Sequence, residues 1–429
     1  MSDQLETALT RTLSGAAERG PDPRPGLLDE VEGRFRRRRR TRYAAVAGVA
    51  AFAVVAGSAI AAGVLTTPGT PPGPDVVGVP AAAPGDEPPV ADVWPEAYHK
   101  LPTRLADGRS YSVEGMIDDH RLLILMNAGA EDASELWALD LKTNKAHRLV
   151  RLPAPADGHD HYASHFTIGS GHIVWWELYT RRGEQFTKIW KAPVTGGDPT
   201  LVGDVAGGYG VSSAIGDRFV VHDENIYFSS GNEGGVRKVP LAGGEATAVP
   251  DTDGYHIVQW PWLGQPGGRL ANASACDDST EQPCRSSEDL AKSRTFTTLK
   301  NVETGDVRDA DVGDLESVVC GLTYCLGLVD GSAVARTRDG SDTVRLPTDG
   351  GPGMMSPPAW DRFVVVVPTV RDRSPELFDI RSGTSGSLGI KANDGSMTIP
   401  SSGPADQRWI VWSTDDDTTY HLLDLAAIK

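Results

Sequence analysis

A strand, a short turn and a second strand recur seven times in this chain. The copies start at Leu136 (LWALDLKTNKAHRL), Ile189 (IWKAPVTGGDPTL), Val236 (VRKVPLAGGEATAV), Phe296 (FTTLKNVETGDV), Val334 (VARTRDGSDTVRL), Leu377 (LFDIRSGTSGSL) and His421 (HLLDLAAIK). Successive starts lie 38 to 60 residues apart, and a spacing of about 40–50 residues is what one four-stranded propeller blade requires. Apolar runs precede six of these hairpins: Arg121–Met126, His172–Trp176, Asn225–Phe228, Cys325–Leu328, Arg362–Val367 and Arg408–Trp412. Such runs suit strands buried on both faces between neighbouring blades.

These observations predict an all-β fold, a seven-bladed β-propeller over residues 96–429, with a six-bladed ring and a β-sandwich as the alternatives. The seventh copy runs to Lys429 with no outer strand of its own, whereas His99–Leu105 (HKLPTRL) resembles the outer strands His147–Pro153 and Thr343–Pro347. An N-terminal strand is therefore expected to complete the last blade, which would remove an exposed edge. The 48 Gly and 30 Pro among 429 residues supply the turns that so many short strands need.

Ahead of the repeats, Tyr43–Leu65 is 23 residues without a charge. As a helix it would reach about 34 Å and cover a bilayer core of about 30 Å. Seven Arg, at Arg34, Arg36 to Arg40 and Arg42, directly precede it. By the positive-inside rule the N-terminus is cytoplasmic and the C-terminal domain outside, as in a single-pass protein of the cell membrane. A signal peptide cleaved after Ala59-Ile60-Ala61 is the alternative, but a 42-residue leader is long for one.

The sequence thus divides into a basic tail (1–42), a transmembrane helix (43–65), a Pro- and Gly-rich stalk (66–95) and an extracytoplasmic propeller (96–429). The formal charge of -17 is unevenly placed: residues 1–42 carry +3 and residues 66–429 carry -20. An acidic body repels phosphate backbones, which argues against nucleic acid as a partner. Arg supplies 31 of the 41 basic residues, a bias of GC-rich bacterial genomes.

Four Cys in an exported domain read as disulfides. Three pairings are possible in principle. The local one, Cys320 with Cys325 and Cys276 with Cys284, is expected because Val318–Leu328 has the pattern of two strands joined by a tight turn.

The phrases Leu136-Trp-Ala-Leu-Asp-Leu and Leu377-Phe-Asp-Ile-Arg-Ser-Gly, each followed by a short outer strand, resemble the repeats of TolB-like and WD-repeat-like propellers. The order of Arg-rich tail, span, stalk and propeller is similar to that of membrane-anchored TolB-like proteins of GC-rich bacteria. The chain lacks the Trp-Asp repeat ends of WD proteins and the α/β domain of TolB, so the resemblance implies architecture and carries no partner with it.

Candidate chemistry is sparse. His159, His161 and His165 are the residues nearest to a metal set, since imidazoles two apart on a strand share a face. Asp415 to Asp417 lack the Gly-punctuated order of a calcium loop. Ala138–Thr143 partly matches the stacking motif of quinone-dependent dehydrogenases, once only. Trp260 and Trp262 are candidate ligand-binding residues, with packing between blades as the competing use. The expected function is a non-enzymatic binding or sensory module for an extracytoplasmic protein, peptide or glycan, without a cofactor. An exported quinoprotein or lyase-like enzyme, and signalling through the cytoplasmic tail, are the alternatives.

Overall fold

The computed structural model describes residues 87–126, 134–153, 162–181, 184–206, 219–229, 234–266, 295–347, 357–367, 373–390, 407–413 and 418–429. The tail, the expected span at 43–65, most of the expected stalk, Cys276, Cys284, His159, His161 and Asp415 to Asp417 lie outside these residues. Among the described residues, no helix is long and apolar enough to cross a membrane.

Strands of two to ten residues form seven antiparallel sheets in chain order. Blade 1 is β2 (Tyr111–Met116), β3 (Arg121–Met126), β4 (Glu135–Asp140) and β5 (Ala146–Arg151); blade 2 is β6 (Tyr162–Gly169), β7 (His172–Arg181), β8 (Glu184–Pro193) and β9 (Thr200–Ala206). Blade 3 is β10 (Val220–His222), β11 (Asn225–Ser229), β12 (Val236–Pro240) and β13 (Thr247–Ala248); blade 4 is β14 (His256–Gln259), β15 (Trp262–Gln265), β16 (Thr298–Asn301) and β17 (Val307–Asp309). Blade 5 is β18 (Glu316–Cys320), β19 (Tyr324–Val329), β20 (Ser332–Thr337) and β21 (Thr343–Arg345). Blade 6 contributes β22 (Phe363–Val366), β23 (Glu376–Asp379) and β24 (Thr384–Ser387). Lettering the four strands of a blade A to D in chain order, every predicted repeat is a C–D hairpin and every predicted apolar run a B strand.

Blade 7 settles how the ring closes. Its β25 (Trp409–Ser413) pairs with β26 (Thr419–Asp424), and β26 pairs on its other side with β1 (Tyr98–Pro102), with Tyr98 opposite Leu423 and Leu101 opposite Tyr420. The N-terminal strand is thus the D strand of the last blade, as the sequence predicts. Tyr420 Oη donates to the Tyr111 carbonyl at 3.1 Å, and Tyr111 Oη donates to the Pro102 carbonyl at 2.5 Å, tying blade 7 to blade 1.

Each seam between blades is an apolar layer. Leu123 and Leu136 meet Ile173 and Trp175 between blades 1 and 2, and Ile189 meets Ile226 and Val239 between blades 2 and 3. Leu326 and Ala335 meet Val364 and Phe378 between blades 5 and 6, and Leu377 meets Ile410 and Leu423 between blades 6 and 7. The β-branched and Leu-rich B strands fill these layers, each fully buried side chain contributing about 1.5–3 kcal/mol. Trp175 is fully buried and Trp176 nearly so, which makes that pair core rather than surface.

The C strands end on a residue that caps the turn into D. Asp140 accepts from the Lys142 and Thr143 amides, Asn301 from the Glu303 and Thr304 amides, and Asp379 from the Arg381 amide. Short Asx-type turns of this kind fix the hairpin register. The segment expected to be stalk is built into the fold at its end: α1 (Val90–Val93) buries Val90 against blade 6, and the Ser387 amide donates to the Pro88 carbonyl at 2.9 Å. An apolar Val and Trp94 behind two prolines give this stretch something to bury, which the upstream Pro/Gly run lacks.

Candidate functional site

Because neighbouring strands run antiparallel, A–B and C–D turns of every blade emerge on one face of the ring, and B–C and D–A connections on the other. The first set is short. On this turn face, at the seam of blades 3 and 4, lies the cluster that holds Trp260.

The A–B turn of blade 3 is Asp223-Glu224, both with left-handed backbone (φ 44° and 57°), the conformation that a two-residue hairpin needs to match the strand twist. It sets His222 and Asp223 beside the A–B turn of blade 4, which carries Trp260. The Trp260 ring lies over Tyr227, centroids 4.0 Å apart and planes at 34°, and 5.9 Å from the His222 ring. Beneath it are Val236, Ile257 and Leu263.

The polar side of the cluster comes from the C–D turn of blade 4. Trp260 Nε1 donates to Glu303 Oε1 at 3.1 Å, and the same oxygen lies 3.2 Å from His222 Nε2, which is also 3.2 Å from Asp223 Oδ2. The Val302 amide donates to the Pro261 carbonyl at 3.0 Å, so the two turns of blade 4 are held together. Burial, with the Asp223 and Glu303 carboxylates close by, pushes the Tyr227 phenol above its ordinary value. Asp223 is largely open to solvent and Glu303 about half so, at 82% and 48% side-chain exposure. The result is a rigid aromatic base with a solvent-facing carboxylate rim, chemistry suited to recognition of a polar or cationic group.

The two predicted ligand-binding tryptophans do not act together. Trp262 opens β15 and packs on the opposite side of the blade 4 sheet, against Val258, Phe296, Leu299 and Leu322, with the Arg308 guanidinium 4.1 Å above its ring. His165 sits where β6 shifts register against β7, with φ 56°, and its ring stacks on Trp176 at 5.2 Å and 18°. Among the described residues, no group of three or more His, Cys, Asp or Glu side chains is placed to hold a metal ion. Cys320 and Cys325 are register partners across β18 and β19 and are bonded, S–S 2.02 Å, buried with Leu315 and Val334. That link is the one the sequence predicts.

Sequence reasoning missed His222, Tyr227, Asp223 and Glu303. The signal available was positional: Asp223-Glu224 and Glu303 each occupy the turn of a hairpin, and turns of one kind meet on one face.

No protein-family description matches the chain, and no curated protein matches it. Among solved structures it is similar to an uncharacterized protein from Listeria monocytogenes EGD-e, at 9% identity and TM-score 0.38 over 65% of this chain and 82% of that one. It is also similar to the β-propeller domain of the Trilobed protease from Pyrococcus furiosus, at 10% identity and TM-score 0.37 over 66% of this chain and 82% of that one. A third is the α-L-arabinanase of Penicillium chrysogenum, at 8% identity and TM-score 0.29 over 79% of this chain and 96% of that one.

Proposed function

We propose that this chain is a membrane-anchored, TolB-like propeller of a GC-rich bacterium that binds an extracytoplasmic protein, peptide or glycan and performs no catalysis of its own. The 23-residue uncharged run behind seven Arg supports the anchor and its orientation. The Cys320–Cys325 bond supports an oxidising compartment for the propeller. The observation that carries the binding role is the Trp260 cluster: an aromatic base fixed by the blade 3–4 core, with carboxylates presented to solvent on a face of short, rigid turns. Rigid scaffolds that present side chains in fixed geometry favour recognition, since little ordering is needed on binding.

Two measurements on living cells test this reading. Protease added to intact spheroplasts is expected to digest the chain beyond Leu65 and spare residues 1–42; a protected propeller overturns the topology. A photo-crosslinking amino acid at the exposed Thr304, beside Glu303, is expected to trap a discrete species, and that adduct is expected to disappear in Trp260→Ala and weaken in Glu303→Gln. Absence of any adduct that depends on Trp260 and Glu303 overturns the binding role.

A further inference from the structure

Resting on the binding role above, we propose that the turn face of blades 3 to 5 docks a lysine- or arginine-rich segment of a partner protein, anchored at the Trp260 cluster. The first observation is the sign of the charge. Asp223 and Glu224 occupy the A–B turn of blade 3 and Glu245 its C–D turn; Glu303 and Asp306 lie in the C–D turn of blade 4, and Asp339 and Asp342 in that of blade 5. All seven are exposed.

The one basic residue in these turns is Arg338, and it points inward. Its guanidinium is buried and donates to the carbonyls of Phe296 and Gly321 at 2.9 Å, and to that of Thr297, bracing blade 5 against blade 4. Its cation is thus committed to backbone and does not cover the carboxylates above. Hydrogen bonds from Ser341 and Thr337 hold the Asp339 carboxyl down to about 2, so its charge persists at any physiological pH. The one-sided field is local: the equivalent turns of blade 1 mix Asp118 and Asp119 with Lys142 and Lys145.

The second observation is aromatic and independent of charge. At one border of the sector the Trp260 and Tyr227 rings lie stacked beside His222. At the other, Trp360 is 38% exposed in the turn that enters blade 6, held at φ 52°, a backbone region that a bulky side chain rarely occupies. Its neighbour Asp361 accepts from the Leu322 and Thr323 amides at 3.0 Å each, which locks this turn to the A–B turn of blade 5. An indole is therefore displayed at each side of a carboxylate-rich strip. Guanidinium and ammonium groups are the side chains that pair with both indole faces and carboxylates. A glycan would use the rings but not the strip, and a nucleic acid would be repelled by it.

The test uses the full chain in detergent micelles and a fluorescein-labelled octapeptide of alternating arginine and glycine, followed by anisotropy. Saturable binding that weakens with added salt is expected, with the glutamate–glycine octapeptide failing to bind. Asp223→Asn with Glu303→Gln, both close in shape to the native residues, is expected to lower affinity at least about 10-fold, as is Trp360→Ala. Asp251→Asn with Asp253→Asn removes the same two charges from a D–A connection on the opposite face, and is expected to change affinity less than about 2-fold. Lack of saturable arginine-peptide binding, equal effects of the two double variants, or unchanged binding in the first would overturn the proposal. If the peptide fails while the Trp260-dependent adduct at Thr304 persists, the basic partner falls and the binding role stands; if both are absent, both fall.

Discussion

Arg362 grips Asp379 with both arms of its guanidinium, Nε to Oδ1 and Nη2 to Oδ2 at 2.7 Å each, while its remaining donors reach the carbonyls of Ile428 at 3.0 Å and Lys429 at 3.0 Å. Blade 7 repeats the device with Arg408 on Asp424, at 2.8 and 2.6 Å. In both cases an Arg at the start of strand B meets the Asp that ends strand C, so the pair locks the B–C register and the cap of the C–D turn together. Blade 1 shows the variant: Asp140 faces Arg121 in register, but Arg121 turns to Asp118 and leaves Asp140 to cap the turn alone.

The Arg362–Asp379 pair is nearly closed to solvent, so removing one partner strands the other. Asp379→Ala is expected to lower stability by about 3–5 kcal/mol in urea titration. Burial works against the Asp379 charge, yet the hydrogen bonds and charge of Arg362, with Ser382, outweigh it and hold the carboxyl below the ordinary aspartate range. Its folded value being depressed, its contribution is fully present above about pH 4 and is lost as pH falls through the folded value. Asp379→Asn is expected to be less stable at pH 7 and to lose less on acidification from pH 5 to pH 2; a parallel loss in both proteins would contradict this account.

Gly169 marks the closest approach of blades 2 and 3. A Cβ there would stand 2.6 Å from Val221 Cβ and 2.8 Å from the Val221 carbonyl oxygen, and the backbone atom cannot yield as a side-chain tip could. Gly169→Ala is expected to cost about 1–3 kcal/mol by overpacking. Gly171 has open space around its Cβ position but a φ of 71°, so Gly171→Asn is expected to be tolerated better than Gly171→Val. Thermal melts of the three variants rank these effects.

The Cys320–Cys325 bond closes a loop with a sequence separation of 5, which in the loop-entropy account stabilises by about 2 kcal/mol. Cys320→Ala with Cys325→Ala is expected to lose about that much. Non-reducing peptide mapping of protein from cells is expected to find the link; its absence would argue against an oxidising compartment.

What was legible in the sequence follows from where the period-two pattern survives. C–D hairpins announce themselves because an Asp, Asn or Gly-Gly turn recurs at their tips, and B strands because they are apolar on both faces. A strands are hidden. In β2, β6, β14 and β18 the register shifts, at Val113/Gly115, Ser164/Thr167, Ile257/Gln259 and Glu316/Val319, and an extra residue breaks the alternation that marks a strand. The B strand of blade 4, β15, is only four residues long, and the 32 residues between it and its partner hide the hairpin. The spacing of Trp260 and Trp262 suggests one shared face, but Trp260 lies in the turn before β15 rather than in the strand, so the two rings face different seams. The Trp260 cluster was illegible for a different reason: His222, Tyr227 and Glu303 come from two blades, and only the ring brings them together.

Closure of that ring is the most direct test of the architecture. The β1 strand supplies the outer edge of blade 7 through five register pairs from Tyr98 to Pro102, and Leu101 is buried with Tyr111, Leu122 and Leu422 where blades 7 and 1 meet. A protein starting at Asp107 loses both the outer edge and that layer; one starting at Glu87 keeps them, together with α1 and Val90 under blade 6. The shorter protein leaves the backbone groups of β26 unpaired on one side, an open template for another chain. It is expected to aggregate, or to melt at least about 5 °C below the longer one given the loss of several kcal/mol from Leu101 and its neighbours. A peptide spanning residues 96–106, added in excess, is expected to restore part of the difference by occupying the vacant edge. Equal melting temperatures and equal solubility of the two proteins would mean that the first and last blades hold together without the shared strand, and would refute the closure seen here.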